Sequence, residues 1–380
     1  MEYRELGITG LSVSAIGLGC ENLDFRPYDE VNATISAARD NDINIFDLFM
    51  PGAEIRENIA KSLGSARKDV FIQGHIGSTD IRQKYDISRD LPTVQKYFDE
   101  LLHLFGYIDI GMLFFIDSEQ DYRDVFETEF ITYAERLKAQ GDIRHIGFSS
   151  HNPKTAIQVL NTGIPEVMMF SINPAFDLLP SEEYALSTLE KGFDADKFHG
   201  IDPVRAELYK LCSRKGVGIT VMKSMGGGRL VSPEHTPFAR PLTAPQCVHY
   251  ALSRPAVSSV LAGCKTPEEL ADVLRYFTQS SSELDYSDIL HTPRNDFKGN
   301  CVYCSHCQPC PAGIDIAAVN KYLDIARLDT QNVPPSIRSH YSSLPHGGGE
   351  CTGCGSCESR CPFDVPVIAN MSDAETLLGK

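Results

Sequence analysis

Gly218-Ile219-Thr220-Val221-Met222-Lys223-Ser224-Met225-Gly226-Gly227-Gly228-Arg229-Leu230 is the stretch whose reading decides the fold. A short apolar, β-branched run passes directly into a lysine and a glycine loop, the pattern of a strand buried on both faces within a parallel sheet. The same kind of run recurs along the chain. Candidate strands are Ala15–Gly19, Ile43–Asp47, Val70–Gly74, Ile108–Leu113, His145–Phe148, Val167–Phe170, Gly218–Met222 and Ser259–Leu261. Amphipathic segments lie between them, among them Pro92–Phe105, Tyr122–Lys138, Pro203–Lys215 and Pro267–Phe277. Eight strand–helix units predict an α/β chain folded as a (β/α)8 TIM barrel. A doubly wound open sheet is the alternative, weakened because no Gly-x-Gly-x-x-Gly turn follows the first strand. Arg4–Ser14 reads as a short hairpin covering the barrel floor. The loops Ser78–Leu91 and Asn173–Gly200 are long enough to build an active-site mouth.

Composition sets the class. The 380 residues are 42% hydrophobic and 23% charged, ordinary for a globular protein. With 51 acidic and 35 basic side chains the formal charge is −16. A body this acidic repels phosphate backbones and anionic lipid, so nucleic acid is not an expected partner. No apolar run reaches the roughly 18 residues of a membrane span. Met1-Glu2-Tyr3-Arg4-Glu5 lacks the basic start of a secretory signal, so a cytoplasmic chain is expected.

Cysteine use divides the chain. Eight of the 12 cysteines lie between Cys301 and Cys361. The division expected is a barrel over 1–280, a polar linker over 281–300 that contains Pro293, and a mainly helical ferredoxin-like iron–sulfur domain over 301–380, with a helix at Ile314–Ile325. Cys351-x2-Cys354-x2-Cys357-x3-Cys361-Pro362 is the ligand spacing of bacterial ferredoxins. The earlier run, Cys301-x2-Cys304-x2-Cys307-x2-Cys310-Pro311, has one residue fewer before its last cysteine. One zinc tetrahedron needs only four thiolates, so two such runs favour iron–sulfur over zinc. In two-cluster ferredoxins the fourth cysteine of each run serves the other cluster. Two 4Fe–4S clusters are therefore expected, one on Cys301, Cys304, Cys307 and Cys361, the other on Cys351, Cys354, Cys357 and Cys310. Cys212 and Cys247 fall on helices and read as packed core, while Cys20 and Cys264 fall on strand-end loops.

Two loops suit an anion. One carries Lys223, Ser224, Gly226, Gly227 and Gly228 behind the seventh strand. The other, Gly263-Cys264-Lys265-Thr266-Pro267-Glu268-Glu269-Leu270, offers Lys265, Thr266 and a helix N-terminus behind the eighth. Phosphate sites recur at these two places in TIM barrels, so NADP(H) or FMN is the expected cofactor.

Several motifs carry a family resemblance: Tyr3-Arg4-x-Leu6-Gly7-x-Thr9-Gly10-Leu11-x-Val13-Ser14, Ile16-Gly17-Leu18-Gly19, Ile43-Asn44-Ile45-Phe46-Asp47, Tyr107-Ile108-Asp109-Ile110, Gly141-x-Ile143-Arg144-x-Ile146-Gly147-Phe148-Ser149 and the two loops above. Residues 1 to about 280 resemble an aldo-keto reductase, and the tail resembles the ferredoxin-like extension of one branch of that family. The resemblance implies hydride transfer from NADPH to a carbonyl by an Asp, a Tyr acid, a Lys and a His. Asp47 matches the first. Leu48–Glu54 holds no Tyr, His75 stands where the Lys belongs, and Phe114 stands where the His belongs. Ser149 and Ser150 remain at the nicotinamide position, but Met169, Phe170 and Ser171 occupy the region of the expected glutamine.

The resulting expectation is an iron–sulfur oxidoreductase with a non-standard active site. Asp47 and His75 are its catalytic pair, since an imidazole with a pKa near 6.5 can replace the missing acid. Tyr85 could swing in, Asp117 could pair with His75, Arg56 could bind a carboxylate or phosphate, and His151 and Asn173 are further candidates. A small-molecule substrate and a redox partner protein are the expected partners. The alternatives are acid–base or lyase chemistry beside structural clusters, and an electron-transfer subunit whose barrel is not catalytic.

Overall fold

The structure is a computed structural model that describes residues 1–80, 85–181, 183, 185–290 and 298–380. The chain opens with an antiparallel hairpin, β1 (Tyr3–Glu5) and β2 (Ser12–Ser14), as expected. Eight parallel strands then close into a barrel: β3 (Ile16–Gly19), β4 (Ile45–Leu48), β5 (Phe71–Ile76), β8 (Ile108–Leu113), β9 (Ile143–Ser150), β10 (Val167–Ser171), β11 (Gly218–Met222) and β12 (Val257–Ala262). A small hairpin, β6 (Ser78–Asp80) with β7 (Tyr85–Ile87), stands on the loop after β5. Each barrel strand overlaps a predicted run. The register sets Asp47 beside Gln73 and His75 beside Met112.

Around the barrel run α1 (Tyr28–Asp40), α2 (Ala53–Leu63), α3 (Leu91–Phe105), α4 (Glu119–Phe126), α5 (Glu129–Gln140), α6 (Pro153–Asn161), α7 (Pro174–Leu178), α8 (Ala185–Lys191), α9 (Pro203–Lys215), α10 (Ala244–Leu252) and α11 (Pro267–Leu274). Their starts follow capping chemistry. Asp90, Asn152, Asp202 and Thr266 accept from first-turn amides of α3, α6, α9 and α11. The single helix predicted over Tyr122–Lys138 is two helices. Thr128 takes extended backbone and caps α5 by accepting from Phe130 N, which ends α4.

The hairpin closes the floor of the barrel. Leu6 and Val13 are fully buried and pack with Ile45, Ile110, Val167 and Leu261. Gly7 makes this approach possible: its φ is +55°, and a Cβ there would fall 2.3 Å from the Gly216 carbonyl oxygen.

The 281–300 connection is not wholly irregular. It carries α12 (Ser281–Leu284) and α13 (Ser287–Leu290), while Pro293 lies outside the described residues. The tail is helical: α14 (Ile316–Ala326), α15 (Pro335–Ser342), α16 (Ser356–Arg360) and α17 (Val367–Leu378). α14 packs on α17, and Asn370 Nδ2 donates to Asn320 Oδ1 at 2.7 Å inside that contact. Arg254, just past the C-terminus of α10, fastens the tail to the barrel. Its buried guanidinium donates to Val302 O at 2.7 Å and Tyr286 Oη at 2.9 Å. Helices in this fold run antiparallel to the strands, so the tail docks on the flank and floor of the barrel, away from the strand C-termini.

Candidate active site

β4 and β5 end side by side at the C-terminal face and bring the predicted pair together. His75 Nε2 lies 2.8 Å from Asp47 Oδ1, and both side chains are about 2% exposed. Gln73 Nε2, two residues back on β5, donates to the same oxygen at 3.0 Å. His75 Nδ1 is buried with no hydrogen-bond partner among the described residues. A buried imidazole nitrogen without a partner is costly, so it marks a position where a reacting group or a water can sit.

Aromatic rings wall this position. Phe114 meets the His75 ring edge-on at 5.2 Å, and Phe49 lies 6.0 Å from it. Phe49 and Phe114 are stacked at 5.9 Å. Tyr85 is half-exposed at the foot of β7, and its ring is 5.3 Å from Phe49 and 6.3 Å from Phe114. Burial, with Glu21 and Glu190 nearby, holds its phenol above the usual tyrosine range. Phe49 was missed in the sequence, where it was only a non-tyrosine in the position of one.

Asp117 does not pair with His75. Its partner is His151: Asp117 Oδ2 is 2.9 Å from His151 Nδ1, and Oδ1 accepts from His151 N at 2.6 Å and Ser150 Oγ at 3.1 Å. Phe115 lies 5.4 Å from the His151 ring. His151 Nε2 is also buried without a partner among the described residues. Burial, then the cations Lys223 and Arg205, lower the His151 pKa against the pull of Asp117, so this imidazole is neutral near pH 7. The mouth therefore carries two His–Asp pairs, where the sequence had suggested one histidine between two carboxylates.

Arg56 also departs from expectation. It is buried and spends its donors on Met50 O at 3.0 Å and Tyr97 O at 2.8 Å, so it is a structural arginine under α2. Asn173 caps α7 through Phe176 N and donates to Lys223 O at 2.9 Å. Asp177 on α7 binds Arg205, Tyr209 and Tyr250, a buried network that anchors this side of the mouth and that local spacing does not reveal.

The anion loops are partly used up internally. Gly226, Gly227 and Gly228 have φ of +60°, +65° and +88°, but Gly226 N and Gly228 N donate to Lys223 O and Met225 O within turns. Phe193 and Leu189 of the long loop after β10 lie over these glycines, and Ser224 is buried. Lys223 is half-buried. Burial lowers its ammonium pKa, with Glu21, Asp117 and Asp47 opposing. Behind β12, Glu269 folds back onto Lys265 N at 2.7 Å and Thr266 caps α11, while the Lys265 side chain is exposed. Ser149 Oγ accepts from Phe115 N at 2.9 Å, so it and Ser150 bind the loop after β8.

The cysteines fall into two groups. The thiol of Cys307 is pushed up to about 12 by burial and by its neighbours Cys304 and Cys361, with Cys357 further off, and Cys304 likewise feels Cys361. Cys301 in turn feels Cys304 and Cys307. Cys310, Cys351, Cys354 and Cys357 line one small cavity, closed by Ile316 and Met371. Arg360 ties the two runs together by donating to the carbonyls of Cys307 and Pro309. Among the described residues no three His, Cys, Asp or Glu side chains converge closely enough to hold a single metal ion. Cys212 and Cys247 are fully buried on α9 and α10.

The sequence profile of the aldo/keto reductase family matches residues 15–241. L-galactose dehydrogenase of Arabidopsis thaliana is 25% identical over 314 residues, 74% of this chain and 90% of that protein. An aldo-keto reductase of Bacillus halodurans superposes with a TM-score of 0.57 at 19% identity, covering 75% of this chain and 94% of the other. One from Pseudomonas aeruginosa gives 0.54 at 18%, covering 72% and 94%. At these identities the two structures bear on the fold alone. Among the described residues no helix is long and apolar enough to cross a membrane.

Proposed function

The chain belongs to the aldo/keto reductase family and is an oxidoreductase of that type, and from this premise we propose that it is an iron–sulfur enzyme that reduces or oxidises a small molecule at the barrel's C-terminal face. Two 4Fe–4S clusters are assigned to Cys301, Cys304, Cys307 and Cys361, and to Cys351, Cys354, Cys357 and Cys310. One observation carries this reading: Cys310, from the first run, lines the same cavity as the three leading cysteines of the second. Buried thiols that raise one another's pKa are the situation that a bound cationic centre relieves, with release of their protons. The clusters, when bound, supply single electrons. A thiolate-rich module also suits a reducing compartment, which supports a cytoplasmic location, and a redox partner protein would supply or drain the electrons.

At the mouth the chain's own residues handle protons. Asp47 holds the His75 ring through Nε2, so Nδ1 is the atom that accepts or donates a proton at the reacting group. Phe49 and Phe114 exclude water from that atom. Lys223 and Lys265, with Ser224, Gly226, Gly227, Gly228 and Thr266, are the groups assigned to the phosphates of NADP(H) or FMN, and Ser149 and Ser150 to the ring end. The fit is better for the lysines than for the amides of Gly226 and Gly228, which the turns already engage.

The test is anaerobic purification with iron, sulfide and extracted-cofactor measurements and an electron paramagnetic resonance spectrum of the reduced protein. Iron and sulfide with a reduced-cluster signal are expected. Zinc without sulfide overturns the reading. The position of the tail favours a second one. Because it docks on the flank and floor through Arg254, structural clusters beside acid–base or lyase chemistry at the mouth would leave the two His–Asp pairs as the whole machinery. Reduced clusters that small carbonyl compounds fail to reoxidise would favour this second reading.

A further inference from the structure

A cavity of about 610 Å³ lies between the barrel floor and the tail, far from the mouth. Its size is that of a cofactor or small-ligand site, roughly 300–1,000 Å³. Arg4 of β1, Tyr276, Tyr303, and Lys321 and Tyr322 of α14 line it, with His340 of α15 facing Tyr322. Four tyrosines, Tyr3 of β1 being the fourth, line the cavity and offer ring surfaces to a planar ligand.

Although Glu2, Glu5 and Asp315 share the lining, one cation, Lys321, stands ready for a negative charge on that ligand. Arg4 is held by Glu2 at 2.6 Å and by the carbonyls of Leu252 and Val257. Asp315 is occupied in capping α14 through Ala318 N. Glu5 lines the cavity as well, and among the described residues Lys321 forms an ion pair with none of Glu2, Glu5 and Asp315; its ammonium stands 5.0 Å from the Tyr322 ring. Burial, and then Arg4, bring its pKa down to about 8. A cation set among rings beside a second cation is stabilised by an anion. The cavity wall also touches the cysteine module, since Tyr303 lies between Cys301 and Cys304 in the chain.

We propose that this cavity is a second ligand site, that it takes a planar redox carrier bearing an anionic group, of the class of flavin mononucleotide, and that it is the port through which electrons reach the cluster on Cys301, Cys304, Cys307 and Cys361. The port rests on the cluster reading above; the ligand site does not. The electron count closes. A bound flavin hydroquinone returns to the quinone by losing two electrons and two protons. One electron reduces each 4Fe–4S cluster from its 2+ to its 1+ level, and the protons pass to solvent.

The experiment titrates flavin mononucleotide, and separately riboflavin, into the anaerobically purified chain and follows quenching of flavin fluorescence. Saturable binding of the mononucleotide is expected. Lys321→Gln should weaken it ~10-fold, the scale of one charge-assisted contact, and leave riboflavin unchanged. Tyr322→Leu should weaken both flavins, and His75→Phe at the mouth should alter neither. Absence of saturable quenching, indifference to Lys321→Gln, or loss of binding in His75→Phe overturns the site. Should Lys321→Gln fail to fold, Lys321→Arg replaces it and should retain binding of the mononucleotide; loss of that binding in a folded Lys321→Arg chain overturns the site. Iron is measured on the same samples. Iron-free protein whose flavin binding still depends on Lys321 upholds the site and overturns both the port and the clusters.

Discussion

His151 and Asp117 are joined twice, ring nitrogen to carboxylate at 2.9 Å and backbone amide to the other carboxylate oxygen at 2.6 Å, so one carboxylate fixes both the imidazole and the loop that carries it. His75 has only its ring bond to Asp47. His75 sits on a barrel strand with its ring against Phe49 and Phe114, where the reacting group is assigned.

Replacing His75 by Phe should sharply slow turnover while leaving fold and iron content intact, because the new ring fits the aromatic wall. General acid–base help is worth ~10²–10⁴-fold, and the rate with any accepted carbonyl compound should fall by that order. Unchanged turnover in a folded variant would move the chemistry elsewhere.

Simple aldehydes with NADPH should turn over slowly in the unaltered chain. Leu48–Glu54 supplies no tyrosine, and Phe114 stands at the family's histidine position. Brisk reduction, insensitive to His75→Phe, would show that another acid serves.

Cys310→Ala and Cys361→Ala should each remove about half of roughly eight irons, and not the same half. With Cys310 in the cavity of Cys351, Cys354 and Cys357, its loss should spare the centre held by Cys301, Cys304 and Cys307. Paramagnetic spectra of the two variants should be complementary; identical spectra would show that the runs do not cross.

Lys265→Ala should weaken NADPH by ~10-fold and NADH little, as loss of one charge-assisted phosphate contact requires. Equal weakening of both nucleotides would remove Lys265 from the 2′-phosphate.

Acid should act on stability through His151. Burial holds its folded pKa below the unfolded value of about 6.5, so the unfolded chain binds the proton more readily. The stabilisation is complete above pH ~6.5 and is lost as pH falls through the folded value. In urea unfolding, the difference between the unaltered chain and His151→Gln should shrink over that window; a difference constant with pH would contradict the assignment.

The barrel was legible because strands buried on both faces must be continuous apolar runs, and each predicted run became a strand within a few residues. β9 runs past its predicted end because Ser149 and Ser150 are polar yet buried, satisfied by Phe115 N and Asp117. The pairing of His75 with Asp47 was legible from neighbouring strand ends. That of Asp117 with His151 was not, since it depends on how the loops after β8 and β9 fold toward each other. Arg56 misled because a buried arginine spent on carbonyls has the same sequence signature as one awaiting an anion.

The hairpin closes the floor beneath a packed barrel interior, so the site at the mouth is a well open on one side only. Whatever occupies the mouth beside His75 must enter and leave past Tyr85 and the long loop after β10, and nothing can exit below Leu6 and Val13. Two molecules that meet in such a well cannot pass each other. The deeper one has to arrive first and depart last, so steady-state kinetics should follow a compulsory order, with product inhibition competitive only against the first arrival.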